Sequence, residues 1–370
     1  VEGVRVRVLF LWADSGSSNL GVRALAHGSL ALARRAWGAD LEYRFQDSAG
    51  RENGLPLGGR EVVRNIGRRA GDISRMIASY DVIWDTGAGD SFADIYGQGR
   101  LMRMVYLQHL ARRLGKPLVL GPQTIGPFRK RSSRVLARYG LRGASAIFTR
   151  DSSSTQYVAR LTPRPVLANT DVVFALPRIE QARSRDVIVN ISGLLWNANS
   201  HLDAGSYRKD VMRLCSELKA GGREVSILAH VVDNPTPDND VPAGREVAAK
   251  LGLDFIEPVS LNDAREVLGS AQLVVGSRMH ACLNAISMGT PTIPWAYSRK
   301  FAPLLSDLGW PHVLDLRTEA DIVQETLRLA ESGGLDAELV MRTNAAAEDS
   351  LSQMTSALSA IARSGGRDQS

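Results

Sequence analysis

The chain has 370 residues, more than one typical core accommodates, and suits two domains. Its hydrophobic fraction of 44% and charged fraction of 23% are ordinary for a globular protein, and no run of about 18 or more apolar residues is present to span a membrane. The formal charge of +6 comes almost wholly from arginine, whose forked guanidinium suits phosphate, carboxylate or an anionic membrane face, while the lack of any aromatic-interleaved basic patch or nucleic-acid motif excludes nucleic acid as an expected partner.

From the N-terminus, VEGVRVRVLFLWAD enters a strand at once without a cleavage site, so no signal peptide is expected. The crossover helix follows over Val22 to Ala36, then a short strand LEYRF and a third, DVIWD, bounded by the glycine-rich TGAGD. Gln98 to Leu114 reads helical, KPLVLG as a strand, Arg134 to Arg142 helical and SAIFTR as a strand. The apolar pattern stops near Leu176 to Asp186, which marks a linker, and domains are expected at 1–180 and 181–370. Alternation restarts with DVIVNIS, a helix over Leu202 to Ala220, the strand EVSILAHV, a helix over Ala243 to Leu251, DFIE, a helix over Asn262 to Ser270, QLVVGS, a helix over Met279 to Met288 and TIPWAY. A long helix over about Asp336 to Arg363 closes the second half. Short apolar strands alternating with helices give an α/β fold of two Rossmann-like domains facing across a cleft. Neither GxGxxG nor GxxxxGK[ST] occurs, so a dinucleotide fingerprint and a P-loop are not expected.

The densest chemistry is in GSRMHACLNAISMGTPTIPWAYSRK, Gly276 to Lys300. Ser277, Arg278, Met279 and His280 stand where a strand hands over to a helix, whose N-terminus offers N–H groups and partial positive charge. Arg278 there can fork a phosphate or carboxylate, and His280 can carry a proton near neutral pH, with Tyr297 and Lys300 following the next strand. The alternative is a buried Arg and His satisfied by carbonyls. Other strand ends carry weaker signals: Asn19 in GSSNLGVRAL, Gly87 and Asp90 in TGAGD with Asp94 beyond, Gln123 in GPQTIGPF, Arg150 in TRDSSS, Asn190 and Ser192 in NISG, and His230 in ILAHV. Each also reads as a cap, turn or ion pair. Cys215 and Cys282 are far apart without metal-ligand spacing, which points to a reduced, cytoplasmic protein, and no His, Cys or carboxylate pair has the spacing of a catalytic metal site.

Taken in order, these pieces resemble the polysaccharide pyruvyl transferase family from about Val8 to about Leu316. The most specific block is GSRMHACLNAISMGTPTIPWAYSRKFAPLLSDLG, supported by NLG, DVIWDTGAGDSFADIYG, GKPLVLGPQTIGPF, TRDSSS, NTDVVFAL, NISGLLW and ILAHV. Two departures stand out: the N-x-G-D common in the first turn is Asn19-Leu20-Gly21-Val22 here, without the acid, and the usual G-G-G is Gly87-Ala88-Gly89. The resemblance implies a GT-B-like fold, phosphoenolpyruvate as donor, no further cofactor, and a glycan acceptor, lipid-linked or polymer-attached, that receives a pyruvate ketal. On that footing His280 is the candidate acid or phosphate contact, Arg278 and Lys300 hold the donor, and Asp90, Asp94 or His230 supplies a base. Asn19, the TGAGD loop and Gln123 would serve the acceptor. The Arg129–Arg134 run and the basic Arg64–Arg75 segment suit the inner face of a membrane carrying the acceptor, or a solvated helix face. A glycosyltransferase using a nucleotide sugar, with Glu257 or Glu266 gripping the ribose, is the runner-up, and a non-catalytic glycan-binding protein the third reading.

Overall fold

The computed structural model describes residues 5–51, 54–66, 71–232 and 234–364, with residues 67–70 of the basic Arg64–Arg75 segment outside them. The chain forms two compact units: one of Val1–Gly16, Leu25–Leu176 and Glu348–Ser370, the other of Ser17–Ala24 and Pro177–Ala347. Two expectations differ from this division. Asn19, read with the first half, belongs to the second unit, and the closing helix, read with the second half, is shared between both.

In the first unit the elements run β1 (Arg7–Leu11), α1 (Leu20–Trp37), β2 (Glu42–Gln46), α2 (Gly59–Ile66), α3 (Asp72–Ala78), β3 (Val82–Asp85), α4 (Gln98–Arg113), β4 (Leu118–Gln123), α5 (Arg131–Arg142), β5 (Ala146–Thr149), α6 (Ser152–Ala159) and β6 (Leu167–Ala168). The strands make a six-stranded sheet in the order β2-β1-β3-β4-β5-β6, with parallel pairings throughout. Helices cover a parallel sheet on both faces, which is why β3 and β4 are buried at every position and begin as apolar runs, VIW and LVL. Val8, Phe10, Ile83, Leu118 and Leu120 are each fully buried.

The second unit repeats the plan with β7 (Arg185–Asn190), α7 (Gly193–Trp196), α8 (Ala204–Ala220), β8 (Val225–Leu228), α9 (Val241–Leu251), β9 (Asp254–Ile256), α10 (Leu261–Gly269), β10 (Ala271–Gly276), α11 (Met279–Ser287), β11 (Thr292–Ala296), α12 (Phe301–Asp307), β12 (Leu314–Asp315), α13 (Ile322–Glu331) and the start of α14 (Ala337–Ser364). Its sheet order is β12-β11-β10-β7-β8-β9, again parallel. Helix starts are fixed locally by side-chain caps: Asp203 accepts from the Gly205 N–H, Ser260 from Asp263, and Asp321 from Gln324. Gly252 in the left-handed conformation ends α9. Among the described residues no helix is long and apolar enough to cross a membrane.

Candidate functional site

In an open parallel sheet, ligands settle beyond the strand carboxyl ends where the winding direction reverses. In the second unit that point lies between β7 and β10, because the chain runs from β7 outward to β8 and β9 and then crosses back to β10. The residues there are Asn190 at the end of β7 and Gly276 to Arg278 at the end of β10. Asn190 bridges the reversal: its Oδ1 accepts the Arg278 N–H at 3.0 Å, and its Nδ2 donates to the Leu228 carbonyl at 3.0 Å.

A residue not singled out from the sequence anchors this edge. Asp240, 1% exposed, accepts N–H groups from Gly193 (2.7 Å), His230 (3.0 Å) and Val231 (2.9 Å), and also Nε and Nη2 of Arg278 at 3.1 and 2.6 Å. Asp238 takes Arg278 Nη1 on its carboxylate at 2.7 Å and Nη2 on its backbone carbonyl. Arg278 therefore corrects one expectation: its guanidinium is not an open fork but an ion pair held by two carboxylates. Burial works against its charge, yet Asp240 and Asp238 outweigh burial and raise its pKa. The two partners differ in kind, since the Asp238 side chain is 37% exposed and the Asp240 side chain 1%. In sequence both sit in the Pro/Asp-rich loop Val232 to Pro242, and that loop's place after a strand was the available signal.

Close approach fixes the rest. A Cβ on Gly193 would lie 2.0 Å from the Asn239 carbonyl oxygen, so only glycine lets the NISG turn pack on the Asp238–Asp240 loop. The buried Tyr207 hydroxyl donates to Ser277 Oγ at 2.8 Å and accepts the Ser192 N–H at 3.0 Å, tying both serines into the frame, with Met279 buried beside them. The Asn19 turn, expected on the acceptor side, packs instead on the second unit: the Leu20 N–H donates to the His230 carbonyl at 3.1 Å, and Asn19 Oδ1 accepts the Gly21 N–H at 2.9 Å. A Cβ on Gly21 would meet His280 Nδ1, Cβ and Cγ at 2.7–2.8 Å. The His280 imidazole thus lies directly on a glycine 259 positions away in sequence, held in the first turn of α11.

His230 is also corrected. It is fully buried, and burial, with His280 and Arg278 nearby, pushes its pKa down to about 3, so it is neutral near pH 7 and a poor base. Its tautomer follows from Asn284, whose Oδ1 accepts Arg265 Nη1 at 3.0 Å while Nδ2 donates to the His280 carbonyl at 2.7 Å. The remaining Nδ2 hydrogen faces His230 Nε2 at 3.4 Å, so Nε2 is an acceptor and the proton sits on Nδ1. Lys300 stands at the N-cap of α12, and Tyr297 packs edge-on against His201 and Phe301 at 5.2 and 5.7 Å. His201 has its pKa lowered by burial, then by Lys300 and Arg317. Glu257 is paired with Arg245 at 2.8 Å and Glu266 is exposed on α10.

The first sheet reverses between β1 and β3, and a second residue outside the sequence-based candidates sits there. Asp85 is fully buried; Gly87 N–H donates to its Oδ1 and Gln108 Nε2 to its Oδ2, both at 2.8 Å. Burial outweighs these bonds and pushes its pKa up to about 6. Gln123 donates to the Asp85 carbonyl at 3.1 Å. Arg150, 2% exposed, is an internal ion pair with Asp171 (2.9 Å) that also donates to Thr124, the ion pair that was the other reading of TRDSSS. Asp90 accepts the Tyr96 hydroxyl at 2.6 Å. Asp94 accepts the Lys130 N–H at 3.0 Å; burial opposes ionisation, but backbone bonds from Lys130 and Arg129 win and lower its pKa, which makes it a loop anchor.

A carboxyl group raised from 3.8 to about 6 favours the folded state below pH 3.8 and loses that contribution as pH rises through 6. By pH 7 the ionised Asp85 costs about 3 kcal/mol. Asp85→Asn, which keeps an acceptor for Gly87, is expected to raise the melting temperature at pH 7 and flatten the decline between pH 4 and 6. An unchanged pH profile in that variant refutes the assignment.

The profile of the family described as polysaccharide pyruvyl transferase matches residues 25–299. Among curated proteins the chain is similar to the amylovoran biosynthesis protein AmsJ of Erwinia amylovora, 20% identical over 265 residues, 64% of this chain and 61% of that protein, so the match spans less than two thirds of the relative. Among solved structures it is similar to a putative UDP-N-acetylglucosamine 2-epimerase from Listeria monocytogenes (TM-score 0.59, 14% identity, 95% of this chain and 96% of that one). It is also similar to Anabaena HepE, solved with UDP and glucose (TM-score 0.57, 11% identity, 95% and 98%). At these identities the likeness shows the fold, two Rossmann-like units of the GT-B-like kind.

Proposed function

The chain belongs to the polysaccharide pyruvyl transferase family, and from that premise we propose that it moves the pyruvyl group of phosphoenolpyruvate onto two hydroxyls of one glycan sugar, closing a ketal during synthesis of an exopolysaccharide or cell-envelope glycan. The enol C3 gains a proton, one hydroxyl oxygen bonds to C2, the C2–O bond to phosphate breaks, and the second hydroxyl oxygen bonds to C2. Both hydroxyl protons leave, and no electrons are exchanged with an oxidant or reductant. This reading puts the reaction in the cytoplasm, with a lipid-linked or polymer-attached glycan as acceptor.

The observation that carries the donor side is the unequal pair of carboxylates on Arg278. Asp240, buried and held by three backbone N–H groups, is a fixed anchor, whereas Asp238 lies on an exposed loop. The donor's phosphate or carboxylate displaces Asp238 and takes its place on the guanidinium, which Asp240 keeps aimed. The first turn of α11 and Lys300 add attraction for the second anionic group. His280, set by Gly21, delivers the proton to C3 or bonds the departing phosphate. His230, neutral with its proton on Nδ1, serves as a hydrogen-bond donor.

The test is thermal stabilisation of the purified protein by phosphoenolpyruvate, UDP-glucose and UDP-N-acetylglucosamine, because a ligand of the folded state raises stability by about 2.7 kcal/mol at a hundred times its Kd. Phosphoenolpyruvate is expected to raise the melting temperature and the UDP-sugars to leave it unchanged. Asp238→Ala should bind phosphoenolpyruvate up to about fivefold more tightly, since it removes an exposed competitor. A shift with a UDP-sugar and none with phosphoenolpyruvate would replace this reading by a glycosyltransferase.

A further inference from the structure

Charge is distributed very unevenly along the chain. Residues 95–150 contain twelve Lys and Arg and no Asp or Glu, although acids are nearly as numerous as bases overall (39 against 45). The other 314 residues are therefore net acidic, with 33 bases against the same 39 acids. The acid-free stretch includes both α4 and α5, neighbouring crossover helices of the first sheet, joined outside by Gln98 Nε2 donating to Ser132 Oγ at 2.7 Å.

On α5 the buried side is Ser133, Ala137, Gly140 and Leu141. The outward stripe at helical spacing is Arg131, Val135, Arg138, Tyr139 and Arg142, all exposed. Large apolar side chains stand among these cations: Val135 is 63% exposed, Tyr139 40%, and Met102 on α4 52%. Arg112 of α4 lies 4.7 Å over the Tyr139 ring and donates to its hydroxyl at 2.7 Å, which joins the two helices into one outer face. The acids that flank the stretch, Asp90 and Asp94, are already bonded to Tyr96 and to the Lys130 N–H.

We infer that this α4–α5 face docks the protein on a bilayer surface rich in acidic phospholipid, with the arginines at the headgroups and Met102, Val135 and Tyr139 dipping below them. Exposed cations without apolar neighbours would suit any polyanion; the interleaved Val, Met and Tyr select a surface with both an anionic and an apolar layer. The face narrows the membrane expectation to the outer stripe of α5 with Met102 and Arg112 of α4. It would bring the enzyme to a lipid-linked glycan, but it does not depend on the identity of the donor.

The experiment is co-sedimentation of the full chain with phosphatidylcholine vesicles with and without phosphatidylglycerol, over a salt series, with heparin binding and the phosphoenolpyruvate melting shift measured in parallel. Salt-sensitive binding only to the acidic vesicles is expected. Reversing Arg131, Arg138 and Arg142 to Glu should weaken it on the order of a hundredfold or more, since each basic residue near such a surface contributes roughly fivefold. Val135→Ser with Met102→Ser should weaken it with little change in heparin affinity. All these positions are exposed, so melting temperatures and the phosphoenolpyruvate shift should match the parent. No binding to acidic vesicles, equal binding to neutral ones, or undiminished binding by either variant would overturn the proposal. A loss of the phosphoenolpyruvate shift in the parent protein alone would count against the donor assignment and leave the membrane face standing.

Discussion

Replacing Asp240 by Ala should destabilise the second unit by about 3–5 kcal/mol, the range for stripping a buried charge of its partner. The carboxylate accepts three backbone N–H groups and two guanidinium nitrogens, so its removal leaves five donors to find new acceptors in a site from which water is largely excluded. Arg278 would keep only the exposed Asp238. Denaturant unfolding measures the loss, and the double variant Asp240→Ala with Arg278→Met provides the control. Deleting the charge along with its partner should recover part of the stability, so the two changes should be strongly non-additive. A loss below about 1 kcal/mol, or simple additivity, would show that Asp240 is not the anchor described here.

His280→Gln is expected to lower turnover by about 10²–10⁴-fold, the usual worth of a positioned acid or base, with the melting temperature close to the parent's. Gly21→Ala should approach the same defect from the other side. The added methyl would sit 2.7 Å from Nδ1, so the imidazole must move, and displacement of a catalytic group by about 1 Å costs on the order of a hundredfold. Phosphate release from phosphoenolpyruvate against a panel of aryl glycosides reads both variants. A His280→Gln enzyme as fast as the parent would remove the imidazole from the chemistry. A fast Gly21→Ala enzyme would show that contact with Gly21 does not set the ring.

Most sheet strands were legible because a parallel strand covered on both faces becomes a run of Val, Ile and Leu, as in DVIVNIS, QLVVGS and DVIWD. The helices that were read agree to within a few residues, as Gln98–Leu114 against Gln98–Arg113 and Asn262–Ser270 against Leu261–Gly269, whereas α2, α3, α6 and α13 were not read. The short α7 and α12 and the two-residue strands β6 and β12 have too few residues to show a period. The family resemblance came from the order of the motifs, with Gly276–Lys300 the most specific, and the family profile bears it out. What stayed hidden were the partnerships between segments. Arg278 attracts attention as an unpaired cation in sequence, because Asp238 and Asp240, forty and thirty-eight residues earlier, look like loop solubility. Asp85 looks like a strand-ending acid, and only its burial shows that its pKa is raised to about 6. Asn19 was placed with the first half because chain order is the only guide a sequence offers, whereas its backbone pairs with Val231.

The last helix gives the chain a timing problem during translation. From Glu348 onward α14 belongs with the first unit: Arg35 pairs with Glu348 at 2.8 Å, Asn169 donates to the Ser350 carbonyl, and Trp37 donates to the Leu358 carbonyl, while Leu351, Met354 and Leu358 are buried. The rest of that unit leaves the ribosome roughly 10–40 seconds earlier at ordinary elongation rates. Throughout that interval the surface that α14 later covers has no partner, while the whole second unit is being made. The first unit must wait on a nascent chain with an open flank, and so has a window for chaperone capture or aggregation that closes only once α14 has been made.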